Sequence, residues 1–114
     1  MNVEEFTTKF KEGDVLVTRD WIFIYAGLKE SDIFFVNGVP RHAVIYHVLI
    51  HKDKVCGITV QTSAGIGYVE GNDFRLANNK EKRFIIDCLD EAHFRWNPET
   101  NTMTRIQEIP VLPF

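Results

Sequence analysis

Cysteine, long apolar runs and surplus positive charge are all scarce in this chain, and each scarcity removes a class of protein. Two cysteines, Cys56 and Cys88, in 114 residues are too few for a disulfide scaffold and lack the close spacing of a metal site. No apolar stretch reaches the roughly 18–20 residues that a membrane-spanning helix needs. Thirteen basic against sixteen acidic residues give a formal charge of −3, so the chain as a whole has no basic footprint for duplex nucleic acid. The opening MNVEEFTTKFKEGD is acidic and polar, without the charged-then-apolar order of a signal peptide. A reduced, cytoplasmic setting is the expectation. There is no low-complexity tract, repeat or Pro/Gly/Ser linker, and the length suits one domain over 1–114.

Against these absences stands a hydrophobic fraction of 45%, enough for a modest packed core. FKEGDVLVT places a Gly-Asp turn before a β-branched run and predicts a first strand. In RDWIFIYAG, Trp21, Phe23 and Tyr25 alternate with Ile22 and Ile24, so both faces of a second strand are apolar. Asn37-Gly38 accommodates the positive φ values of a type I′ hairpin turn. HAVIYHVLIH and VCGITVQT read as further strands, and SAGIGYVEGND as a glycine loop with a short last strand. Left unpaired, the edge of AVIYHVLI would invite a homodimer.

The period changes at NNKEKRFIIDCLDEA, where Ile85, Leu89 and Ala92 fall at helical spacing and Asn78 with Glu81 resembles a capping box. NPETNT, with Pro98 inside the turn and Asn101 suited to a left-handed exit, makes HFRWNPETNTMTRI a β-hairpin with Trp96 opposite Met103. An isolated hairpin is marginal in water, so this one should dock as a lid on an apolar face.

The same segment, with Arg75, Ala77, Glu81, Lys82, Leu89, Phe94, Trp96, Asn97, Glu99 and Thr100 at the matching positions, resembles the end of a group of small uncharacterised proteins from gut bacteria and their phages. FKEGDVLV resembles their opening strand. The resemblance implies an α+β fold: an SH3-like antiparallel β-barrel over 1–76, one helix over 77–93 and a hairpin lid over 94–106. It implies a phage or mobile-element origin and carries no established activity. His93 stands where that group has a Gly, at the left-handed end of the helix.

For function, a non-enzymatic binding or accessory role through a protein partner is expected, with nucleic acid disfavoured by the charge balance. The candidate surface is Trp21, Tyr25, Arg41, Tyr68 and Arg75, aromatics and cations able to grip a peptide or stack on bases. The alternative stripe reading packs Trp21, Phe23 and Tyr25 beneath the C-terminal helix and hairpin. A Gly-Asp strand followed by His42 in RHAVIY is similar to the start of NlpC-type and lecithin-retinol-acyltransferase-like thiol enzymes. A hydrolase of that kind would need Cys88 as nucleophile and His42 as base, yet Cys88 falls two turns into the predicted helix rather than at its N-terminus. His47 and His51, four apart, would lie about 13 Å apart on one strand face at roughly 3.3 Å per residue, so neither a metal nor a cofactor is expected.

Overall fold

The computed structural model describes residues 1–53, 58–100 and 102–105. Cys56 and Asn101 lie outside the described residues. The polar opening folds as a helix, α1 (Val3–Lys9). The Asn2 side chain caps it by accepting the Glu5 N–H at 2.8 Å, Glu4 and Glu5 occupy its first turn and Lys9 its last, an order that suits the helix dipole. Phe6 and Phe10, four residues apart, put two rings on one side, 4.9 Å centre to centre.

Five strands follow in one antiparallel sheet: β1 (Val15–Thr18), β2 (Trp21–Val36), β3 (Val39–His51), β4 (Ile58–Tyr68) and β5 (Arg75–Leu76). Their spatial order is β4-β3-β2-β1-β5, so β4 and β5 lie at opposite edges and the sheet is open. The SH3-like barrel, and the relationship to the gut-bacterial and phage proteins that implied it, are therefore corrected, and with the barrel goes the support it lent to a phage or mobile-element origin. The physical reason lies in β2. Its apolar residues face both ways, and the chain supplies a cover for each side, which an open sheet between two layers needs and a barrel with one interior does not. The long run AVIYHVLI is no edge, because β3 pairs with β2 on one side and β4 on the other. SAGIGY continues β4 through Tyr68 and forms no separate loop.

On one face, Leu16, Phe23, Tyr25, Val44, Tyr46 and Leu49 meet Phe6 and Phe10 of the α1 segment together with Val69 and Phe74. Phe6, fully buried, presents its edge to Tyr25 and Phe74, each at 5.2 Å. On the other face, Val17, Ile22, Ile24, Val48 and Ile50 meet Ile85, Cys88 and Leu89 of α2 (Asn79–Glu91). The Trp21–Phe23–Tyr25 stripe thus packs on the α1 side, and the C-terminal helix covers the isoleucines between. Asn78 and Glu81 form the reciprocal capping box. His93 takes φ 63° just beyond the helix, the left-handed value that favours Gly. β6 (Phe94–Asn97) and β7 (Thr102–Arg105) pair with Trp96 opposite Met103, and Phe94, Trp96 and Met103 pack on the α2 side.

The β2–β3 ladder slips twice in mid-course. Ile24 pairs with Val48 but Tyr25 with Tyr46, leaving His47 extra; Tyr25 is then followed in the ladder by Gly27 opposite Ile45, leaving Ala26 extra. Two opposed bulges restore the register while switching which residues face each side.

Candidate docking surface at the end of the hairpin arm

Leu28 packs at the margin of the α1-side core; beyond the Lys29–Ala43 pair, where Tyr68 of β4 still flanks β3, β2 and β3 run on as a two-stranded arm. Asn37 (φ 51°) and Gly38 (φ 80°) turn its tip, with Val36 opposite Val39, as a type I′ turn requires. Just before the tip, residues 31–34 of β2 stand opposite the single Arg41, between the Glu30–His42 and Phe35–Pro40 pairs. The Ser31 hydroxyl fastens this swelling by accepting the N–H groups of Ile33 (3.2 Å) and Phe34 (3.0 Å). The swelling turns apolar side chains outward. Ile33 is 77% exposed, Phe34 51%, Phe35 53% and Val39 59%. Phe34 rests edge-on against Tyr68 of β4, 5.5 Å between centres. Beside that contact lies a groove of about 220 Å³ whose walls include Lys29, Asp32, Ile33, Phe34, Ala43 and Tyr68.

At the arm's root the His42 imidazole sits between two carboxylates, Nδ1 3.2 Å from Glu70 Oε2 and Nε2 3.6 Å from Glu30 Oε1. The His42 N–H also donates to Glu70 Oε1 at 2.7 Å. Burial pushes the Glu70 carboxyl up, but the His42 amide, its own amide and the His42 ring outweigh that and hold it below the usual range. Because the two carboxylates approach opposite edges of the ring, the three groups do not converge on one point. Among the described residues no group of three or more His, Cys, Asp or Glu could hold a metal ion.

The five residues singled out in the sequence fall in three places. Trp21 is half-buried on the body of the sheet, edge-on to His51 at 4.9 Å. Tyr25 is only 4% exposed, and burial, aided by the Glu12 charge, pushes its phenol up to about 12. Arg75, on the edge strand β5, is held by Glu81 of α2 through two bonds of 2.7 Å. Of the five, Arg41 lies in the arm and Tyr68 of β4 packs against it through Phe34, and the Nε of Arg41 is buried without a hydrogen-bond partner.

His42 follows the strand alternation of Val44 and Tyr46 on the α1 side, whereas Cys88 is buried under α2 on the other. The sheet stands between the nucleophile and the base that a thiol hydrolase would need. His47 and His51, expected on one face, are parted by the bulge: His47 lies 5.2 Å from Trp96 on the α2 side, and His51 lies against Trp21 on the other. Burial lowers the His47 pKa, opposed by the Glu12 charge.

The sequence reasoning passed over Ile33, Phe34, Phe35 and Val39. A signal was present, since the four consecutive apolar residues IFFV before the Asn-Gly turn break the alternation that a half-exposed strand shows. Among the described residues no helix is long and apolar enough to cross a membrane.

No family model matches this chain, and no solved structure matches it. Mouse transducin-like enhancer protein 2 is 31% identical over 70 residues, covering 56% of this chain and 9% of the mouse protein. The chain thus spans a small part of that relative, and the likeness is local.

Proposed function

We propose that this chain is a non-enzymatic docking module that engages a protein partner through the end of its hairpin arm. The observation that carries this reading is the bare run of Ile33, Phe34, Phe35 and Val39 at a turn fixed by Asn37-Gly38. Exposed apolar clusters on a rigid element mark interaction sites more often than chance contacts do. The arm, rather than the Trp21–Tyr25 stripe, is the partner face. A protein is favoured over nucleic acid because the chain is acidic overall, at −3, and the arm's exposed residues are chiefly apolar. A cytoplasmic location is part of the proposal, in keeping with a chain of only two cysteines.

Affinity capture from lysate of cells that also express an untagged copy of the chain, with and without nuclease, tests the reading. A protein retained through nuclease and lost from the Phe34→Ser/Phe35→Ser double variant, but not from Arg83→Ala on α2, is the expected result. Capture indifferent to the arm variant would overturn it, and recovery of nucleic acid alone would reverse the choice of partner class.

A further inference from the structure

The apolar end of the arm carries its own counterpart. Ile33, at 77% the most exposed large apolar side chain among the described residues, protrudes from the wall of the groove that it lines together with Phe34, Ala43 and Tyr68. A protruding side chain and a recess beside it on one patch are what a two-fold contact needs, because each copy then supplies both halves. The groove, about 220 Å³ and open to solvent, is of a size to take an aliphatic side chain.

Charge favours the same occupant. The chain carries −3, so two copies repel over most of their surfaces. Along 29–41, however, Lys29 and Arg41 balance Glu30 and Asp32, and this stretch is locally neutral, with both signs available for pairing across a two-fold. Taking roughly 200 Å² for each large side chain, the four exposed residues offer on the order of 500 Å² per copy. Two copies would bury about 1,000 Å², at the lower end of specific interfaces.

We infer that the partner of the arm is a second copy of this chain, with Ile33 of each seated in the other's groove beside the Phe34–Tyr68 contact. The inference rests on the arm being the docking surface and names its occupant. The contact is weak and reversible, in keeping with its small area.

Sedimentation velocity on purified protein from about 10 µM to 1 mM reads it directly. The wild type should pass from monomer to dimer over that range. Ile33→Asp should raise the dissociation constant at least tenfold. Ala43→Leu, which fills the groove and makes the patch more apolar, should also raise it at least tenfold; general stickiness would instead lower it. Leu76→Asp, removing an apolar residue 52% exposed on β5, should leave it unchanged. If Ala43→Leu fails to fold by circular dichroism, the contrast between Ile33→Asp and Leu76→Asp decides alone. A wild type that stays monomeric at 1 mM, or a dimer indifferent to Ile33→Asp, overturns the inference. Should the wild type be monomeric while the arm variant still loses a captured protein from lysate, the docking reading stands and only its occupant is wrong. If neither self-association nor capture responds to the arm, both fall.

Discussion

The body of the sheet and its arm are continuous strands of similar composition, yet one is sealed and the other bare. Over Trp21–Tyr25, α1 covers one face and α2 with the C-terminal hairpin covers the other. Over Ile33–Phe35, no described helix packs on either face, and equally large side chains remain in solvent. Hydrophobicity alone therefore does not decide burial; reach of a second layer does.

The sharpest way to break that contrast is to empty the body. Phe6→Ala removes a fully buried ring touching Phe10, Tyr25 and Phe74, and should cost about 3–5 kcal/mol in urea unfolding. Leu89→Ala, 1% exposed on the other face, should cost about 2–4 kcal/mol by the same measurement; a cost near zero would mean that α2 is not a covering layer.

A smaller effect marks where α2 is tied to the sheet. Hydrogen bonds from Arg75, opposed by burial and aided by the Asn78 amide and by the Arg75 and Lys52 charges, hold Glu81 down to about 2 against an ordinary 4.5. A depressed carboxylate stabilises the fold above its unfolded pKa and loses that contribution as pH falls through the folded one. Glu81→Gln should thus destabilise by about 1 kcal/mol at pH 7. Its difference from wild type should shrink below pH 4.5 and vanish near pH 2. Smallest of all, Phe35→Ser on the arm should move monomer stability by no more than about 0.5 kcal/mol in either direction. A large loss there would show that the arm is part of the core after all.

Much of the local structure was legible because it is written in short range. The Asn37-Gly38 turn, the Asn78–Glu81 capping box and the Trp96–Met103 pairing each depend on residues a few positions apart. α1 was not anticipated, because a short polar lead with two phenylalanines reads easily as a coil, although Asn2 with Glu5 and the Phe6–Phe10 spacing carry it. Closure of the sheet was not legible, because whether β4 meets β5 depends on contacts between distant segments that no local pattern encodes. The arm was missed for a related reason. SDIF bulges out of the ladder, and a strand that drops out of its period-2 pattern looks like the start of a loop.

The opposed bulges at Ala26 and His47 act as a phase inverter. On β2, odd-numbered residues such as Phe23 and Tyr25 face α1 before the slip, whereas after it the even-numbered Leu28 packs on that side. The arm therefore inherits its facing from the bulges, and further growth must respect it. Lengthening it by one residue on each strand would carry the apolar end outward while turning it to the opposite side; two on each strand, a step of about 7 Å, would preserve its aim. The length of this arm is in effect quantised in dipeptide steps.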